Sequence, residues 1–236
     1  MPQVSTFALS VFLMLIVIIA WAWLSAMRHA APRGEAPTLT KRWSALAVFI
    51  LVLWLLIPAA LAETGWLRRF AAMPPPFAVM MIVLALTTTW LAFSAIGTRL
   101  VTGLNIGALI GFQMFRVPLE WWLHRVYQEG VIPVQMTYSG RNFDIITGLL
   151  AIALLFWARV GRLPRWAIWG FNLLGLALLI NIVTIALLSA PLPFRKFMNE
   201  PANTFIAYWP YVWLPTFLVQ AALFGHLLVF RWLRRN

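Results

Sequence analysis

Seven apolar runs of about 20 residues each divide this chain, and no other feature constrains its fold as strongly. A helix of about 20 residues crosses the roughly 30 Å hydrocarbon core of a bilayer, because each residue adds about 1.5 Å. Hydrophobic residues make up 63% of the chain and charged residues only 10%. The alternating pattern of a membrane β-barrel is missing. The sequence therefore predicts an all-α polytopic membrane protein, a bundle of seven transmembrane helices. The predicted spans are about 6–27, 44–62, 77–97, 103–127, 144–160, 166–189 and 208–231.

The first apolar run is predicted to be a transmembrane helix and not a signal peptide. A signal peptide has a positively charged region before its apolar core, whereas residues 1–6 carry no charged side chain. The connections between the runs are short, so consecutive helices are expected to be antiparallel neighbours. We therefore expect one transmembrane helical domain over residues 1–236, with no soluble domain.

The net charge of +12 is explained by membrane topology, and no nucleic-acid partner is expected. If the first loop is cytoplasmic, eleven basic residues lie on the inner side and five on the outer side. This bias predicts an N-terminus outside and a C-terminus inside. The inner residues are Arg28, Arg33, Lys41, Arg42, Arg99, Arg159, Arg162, Arg165, Arg231, Arg234 and Arg235. The outer residues are Arg68, Arg69, Arg141, Arg195 and Lys196. The preference for Arg over Lys is typical of a GC-rich genome and favours a bacterial inner membrane.

The fourth apolar run carries a cation, an anion and a titratable ring on one helical face. Arg116, Glu120 and His124 are spaced at i, i+4 and i+8, and Gln113 and Tyr127 fall in the same stripe. Charged groups in a membrane normally face a bundle interior or a wet cavity and pair with one another. This stripe predicts an outward-facing pocket in which Arg116 binds an anion or pairs with Glu120. The alternative is an internal Arg116–Glu120 pair that only holds the helices together.

Two further features are expected to contribute to this pocket. Pro118, between the two charges, is expected to kink the fourth helix and free a carbonyl. The loop after that helix carries Arg141, Asn142 and Asp144, and either Asn142 or Asp144 is a candidate cap for the fifth helix. Arg141 is placed to reach Glu120, Glu129 or a bound anion, and Gln220 of the last helix is expected to hydrogen-bond to the fourth. The predicted ligand-binding residues are Gln113, Arg116, Glu120, His124, Tyr127, Arg141, Asn142, Asp144 and Gln220.

The sequence predicts no catalytic residue, no cofactor and no metal. Cysteine is absent, which excludes thiolate ligands and nucleophiles. His124 and His226 are predicted to lie in opposite leaflets, too far apart to hold one haem iron. A metal site built from His124, Glu120, Glu129 and Asp144 has no fixed ligand motif to support it.

Membrane lipids are the expected partners. The stretch 66–76, WLRRFAAMPPP, is predicted to lie flat at the interface, where Arg68 and Arg69 meet anionic head groups. A membrane-protein partner is the second possibility, because the many Trp and Phe residues suit a partner-facing surface as well as a lipid-facing one.

The segments FRVPLEWWLHRVYQEGVIPVQMTYSGRNFDIITG and YWPYVWLPTFLVQAALFGHLL resemble those of uncharacterised bacterial multi-pass inner-membrane proteins. The resemblance covers the fourth, fifth and last spans and implies no reaction, cofactor or substrate. From the residues alone, the leading hypothesis is binding or transport of a small anionic or amphipathic ligand. The alternatives are a non-catalytic subunit of a membrane complex and an intramembrane enzyme acting on a lipid or isoprenoid.

Overall fold

The computed structural model describes residues 3–32 and 34–235, so the predicted position of Arg33 lies outside the described residues. Within those ranges the chain forms helices and turns and no strand. Five helices are long and apolar enough to cross a membrane, and a bent pair brings the number to six. The chain is therefore a multi-pass helical membrane protein. Its helices are α1 (Thr6–His29), α2 (Pro37–Glu63), α3 (Pro76–Phe93), α4 (Ala95–Gly103), α5 (Ile106–Gly111), α6 (Arg116–Gln128), α7 (Ile145–Val160), α8 (Arg165–Ser189) and α9 (Val219–Arg235).

The predicted third span, 77–97, is divided between two helices. α3 ends at Phe93, and Ser94 begins α4 by accepting the backbone N–H of Ile96 on its side-chain oxygen at 3.2 Å. The next break follows Gly103, where Asn105 accepts the N–H of Ala108 at 2.8 Å and begins α5. These caps satisfy backbone donors that a helix start leaves free. As a result, α4 is bent by 115° relative to the helical run Ile106–Gln128.

The kink predicted at Pro118 is not observed, and the irregular turn of this span lies earlier. A 3₁₀ turn over Phe112–Phe115 separates α5 from α6, and α6 then continues through Pro118. Pro118 occupies the first turn of α6, where a missing backbone N–H has the smallest effect on a helix. The distortion therefore lies immediately before Arg116 instead of between Arg116 and Glu120.

The last span begins later than predicted and is the central helix of the bundle. Residues 208–212 form bends and turns, and a π-helical turn over Leu214–Leu218 precedes α9. Pro215 lies in this first turn, which suits its missing N–H. In the most apolar window of Leu214–Arg235, 56% of the residues are buried, against 22–33% for the other four long helices. α3 and α8 both pack against this helix.

Where α1 ends, a buried ion pair joins the first loop to α4. Arg99 donates from Nη1 and Nη2 to the two carboxylate oxygens of Glu35 at 2.6 and 2.8 Å, and from Nε to the carbonyl of Met27 at 3.2 Å. The hydrogen bonds from Arg99 and from Thr40 lower the pKa of Glu35 to about 2. The pair therefore fixes α4 beneath the end of α1.

Where α1 begins, a second acid joins that helix to the end of α6. Glu129 accepts from the backbone N–H of Ser5 at 2.7 Å, from its hydroxyl at 2.6 Å, and from Nε of Arg125 at 3.0 Å. Burial acts to raise the pKa of Glu129, but the hydrogen bonds from Ser5 and the charge of Arg125 outweigh it, so the pKa lies below its usual value. α1 is thus attached to the bundle at both of its ends.

Glu35→Gln should lower the melting temperature in detergent at neutral pH, and its difference from the wild type should shrink in acid. The pKa of Glu35 is lowered from 4.5 to about 2 on folding, so its stabilisation is present above 4.5 and is lost as the pH falls toward 2. Melting curves between pH 7 and pH 3 measure this. Glu63→Gln, at the exposed end of α2, is the control. A difference that stays constant over that range would contradict the prediction.

Candidate functional site

A narrow cavity lies among α3, α6, α8 and the start of the last helix. Its volume is about 60 Å³, several times the roughly 10–15 Å³ that one water molecule needs. Almost all of its wall is apolar, and its three charged side chains belong to one buried group. The charged members of the wall are Arg116, Glu120 and Asp144. The apolar members are Phe77, Met81, Phe115, Leu119, Leu123, Met136, Leu179, Ile182, Val183, Ala186, Leu187, Ile206, Leu214, Pro215, Leu218, Val219 and Ala222.

Arg116 is buried and forms an ion pair with Asp144, not with Glu120. Its side chain is 1% exposed, and Nη1 donates to Oδ1 of Asp144. Of the two roles predicted for Arg116, the pairing with Glu120 is therefore wrong, and the binding of an anion stays a prediction. The i, i+4 spacing correctly put both residues on one face, but Asp144 approaches that face from the next helix. Nε and Nη2 of Arg116 have no hydrogen-bond partner among the described residues.

Glu120 is held by the loop that follows α6. The residue is 1% exposed, and its Oε2 accepts from Nδ2 of Asn142 at 2.6 Å. The same Nδ2 donates to the carbonyl of Met136 at 3.1 Å, while Oδ1 of Asn142 accepts the backbone N–H of Asp144 at 3.1 Å. Asn142 thus connects the carboxylate of Glu120 to the backbone of Asp144 through one fully buried amide.

Asp144 occupies the position before α7, but its carboxylate does not cap the helix. The side chain makes no hydrogen bond to the backbone of the first turn and instead accepts from the hydroxyl of Thr147 at 3.1 Å. Gly148 allows this approach, because a Cβ there would lie 2.8 Å from the backbone nitrogen of Val117 and 3.3 Å from Cβ of Arg116. Of the two candidate capping residues, Asn142 and Asp144, the second therefore does not cap α7, since its charge is used for Arg116.

Three predicted site residues lie on the protein surface, away from the cavity wall. His124 is half-buried and stacks on Tyr138 with ring centroids 4.4 Å apart, and Tyr127 is 5.9 Å from the His124 ring. Arg141 is exposed, and its Cζ lies 5.3 Å from the ring centroid of Phe197. Arg141 therefore makes none of the ion pairs expected with Glu120 or Glu129. The carboxylate of Glu129 is directed to Ser5 and Arg125 instead.

The two predicted glutamines are buried without lining the cavity. Gln113 donates from Nε2 to the carbonyl of Ala222 at 2.9 Å, while its Oε1 has no partner among the described residues. Gln220 accepts from the hydroxyl of Thr88 at 2.9 Å, so its interhelical hydrogen bond goes to α3 and not to the fourth span as predicted. Both residues act in helix packing within this structure.

A buried histidine lies close to this network and was assigned no site by sequence reasoning. Nδ1 of His226 lies 2.8 Å from Oδ1 of Asn172, and its Nε2 has no partner among the described residues. Gly175 makes room for the ring, because a Cβ there would lie 2.5 Å from Cε1 of His226 and 2.8 Å from Cγ2 of Thr147. The sequence signal for this contact was the presence of two polar residues, Asn172 and His226, within adjacent predicted spans.

Arg116→Met and Asp144→Asn should each destabilise the protein by about 3–5 kcal/mol, because removal of one partner leaves a buried charge unpaired. The double variant should lose clearly less than the sum of the two. Unfolding by SDS in mixed micelles measures both effects. Arg125→Met is the matched control, since Arg125 is 43% exposed and its pair with Glu129 should contribute at most about 1 kcal/mol. If the free-energy loss of the double variant equals the sum of the two single losses, Arg116 and Asp144 are not coupled.

Comparisons with known proteins bear on the part of the chain that builds this site. Neither the curated proteins nor the solved structures contain a match to the chain. A family described as a domain of unknown function, DUF8737, matches residues 72–234. The matched region begins before α3 and includes every residue of the cavity wall and of its buried polar network. The chain therefore belongs to the DUF8737 family.

Proposed function

We propose that this protein binds an amphipathic membrane molecule in the cavity among α3, α6, α8 and α9. The observation that carries the proposal is an apolar wall that includes a buried group of three charged residues. Ligand sites are commonly apolar clefts with a few polar groups that fix orientation. An apolar chain would lie along α8 and α9, and the polar end of the molecule would lie beside Arg116.

The cavity wall favours an amphipathic ligand over a small free anion. A small anion needs several converging donors, whereas this wall is lined mainly by Leu, Ile, Val, Met and Phe side chains. The one guanidinium in the wall, Arg116, already has Asp144 as its counter-ion. Of the two ligand classes expected from sequence, we therefore retain the amphipathic one.

Irregular helices beside the cavity support transport as an extension of this proposal. The 3₁₀ turn Phe112–Phe115 and the π-helical turn Leu214–Leu218 both contribute wall residues, among them Phe115, Leu214 and Pro215. Interrupted helices at membrane depth are typical of transporter binding sites.

We also propose seven spans, with the N-terminus outside and the C-terminus inside a bacterial inner membrane. The seven would be α1, α2, α3, the run Ile106–Gln128, α7, α8 and Leu214–Arg235, with α4 as a short connecting helix. α7 is the shortest of the seven, since its 16 residues reach only about 24 Å. The excess of basic residues on the proposed inner side supports this orientation.

Single cysteines on either side of α7 should react from opposite faces of the membrane. The chain contains no cysteine, so Ser139→Cys and Arg162→Cys each introduce one thiol at an exposed position. In intact spheroplasts, a membrane-impermeant maleimide should modify Ser139→Cys and should reach Arg162→Cys only after lysis. Labelling of both thiols in intact spheroplasts would exclude a span at α7.

Val183→Phe should reduce the amount of lipid that remains bound after purification in mild detergent. Val183 lies in the cavity wall, so a larger ring fills space that a chain would occupy. Lipid extraction and mass spectrometry measure the bound molecule per protein. Ile180→Phe, on the same helix and 58% exposed, is the control and should retain it. Equal lipid content in both folded variants, or co-purification of a stable protein partner in its place, would favour the subunit hypothesis.

The same lipid extraction tests the proposed contact between Arg68, Arg69 and anionic head groups. Cζ of Arg68 lies 5.0 Å from the ring centroid of Tyr208, and the 3₁₀ turn Trp66–Arg68 leads from the end of α2 toward α3. In the double variant Arg68→Ala/Arg69→Ala, the anionic share of the bound phospholipid should fall. The lipid that Val183→Phe removes should still be bound to this double variant. An unchanged anionic fraction would contradict the contact.

A further inference from the structure

We infer that the ligand of this cavity is a lipid with an uncharged, oxygen-bearing head, and that it enters sideways from the bilayer between α3 and α8. The inference rests on the proposed function and specifies its substrate class. It combines the charge of the buried network, the unpartnered donors of Arg116 and the arrangement of the two helices.

The charge of the site argues against an anionic head. Arg116 contributes one positive charge, and Asp144 and Glu120 contribute two carboxylates, so the ionised group sums to −1. Asp144 binds the guanidinium directly, and Glu120 is bound only by the neutral amide of Asn142. A carboxylate or phosphate placed beside these three side chains would meet at least as much negative as positive charge. In a buried environment, such an uncompensated charge is costly.

The hydrogen-bonding groups of the site suit a neutral oxygen. Nε and Nη2 of Arg116 carry N–H donors that have no partner among the described residues, and the residue is 1% exposed. An unpaired buried donor costs about 1–3 kcal/mol, more when the group is charged. An alcohol, ether or carbonyl oxygen in the cavity would accept from these donors without adding charge. A hydroxyl would also be able to donate to Glu120.

The route into the cavity lies between two helices that share a neighbour. α3 and α8 each pack extensively against α9, and no comparable contact joins α3 to α8 within the described residues. Met81 on α3 and Val183, Ala186 and Leu187 on α8 line the cavity and are only half-buried. Both helices are long apolar spans, so the surroundings of these side chains are hydrocarbon. An apolar chain therefore reaches the wall without crossing water.

Three matched straight-chain probes test the head-group class. Each probe carries a diazirine in mid-chain and ends in a hydroxyl, a carboxylate or a trimethylammonium group. With the wild-type protein in phosphatidylcholine nanodiscs, the alcohol should label peptides containing Leu179–Leu187 at least about fivefold more than either charged probe, equivalent to about 1 kcal/mol in binding. Val183→Phe should abolish this excess, and Ile180→Phe should retain it.

The alternative outcomes separate the two levels of the proposal. Stronger labelling by the carboxylate or the trimethylammonium probe, sensitive to Val183→Phe, would overturn the uncharged head and leave the binding function intact. If all three probes label the protein equally and Val183→Phe does not change the labelling, the probes react with the lipid-facing surface. That result would overturn both the uncharged head group and the binding function.

Met81→Phe tests the route: it should slow labelling by the alcohol, whereas Ile82→Phe, 61% exposed on the same helix, should not. Equal rates in the two variants would overturn lateral access between α3 and α8.

Discussion

The buried ion pair between Arg116 and Asp144 is the interaction on which this part of the bundle depends. An arginine at the centre of a membrane helix costs about 2.5–3.5 kcal/mol on insertion scales, so the fold must bring a carboxylate to it. That requirement fixes where α7 begins relative to α6, and Gly148 allows the two helices to approach closely enough. It also constrains the loop between them, because Asn142 must place its amide between Glu120 and the start of α7. The loop between α6 and α7 is long and polar, and buried hydrogen bonds of Asn142 hold its C-terminal end.

The sequence was sufficient to place the charged residues but not to pair them. Periodicity put Arg116 and Glu120 on one buried face, and both are 1% exposed. Periodicity could not identify the partner of Arg116. An i, i+4 spacing shows which face of a helix two residues share, but it does not show which residue of another helix packs against that face. The expected cap at Asp144 failed for the same reason, since capping is a local rule and the tertiary ion pair outweighs it. The α8 wall of the cavity was also hidden, because apolar side chains facing lipid and those facing a cavity look alike in a membrane sequence.

Helix breaks were the second feature that hydropathy could not reveal. Residues 77–97 and 103–127 are continuous in apolarity, yet the chain turns at Ser94 and again at Asn105, where side chains take over backbone donors. Asn105 is recognisable afterwards as a capping residue preceded by Gly103, but the same residue types also occur inside membrane helices. In the last span, Pro215 lies in the irregular start of the helix, and Leu214–Leu218 packs against α2. Trp54 shows this contact directly, since its indole N–H donates to the carbonyl of Thr216 at 2.6 Å.

The distribution of hydrogen bonds indicates which side of the route between α3 and α8 can move. α8 is joined to its neighbours along its whole length, through Asn172 to His226, Asn181 to the carbonyl of Arg141, and Ser189 to Gln135. The hydrogen bonds that join α3 to α9 lie in its C-terminal half, at Thr88 and at the carbonyl of Ala92. The N-terminal half of α3, which carries the cavity residues Phe77 and Met81, contacts the cavity through apolar side chains. Apolar contacts are non-directional and re-form after a shift, whereas buried hydrogen bonds must be broken. The lateral opening that we infer is therefore expected to displace the first turns of α3 against a fixed α8.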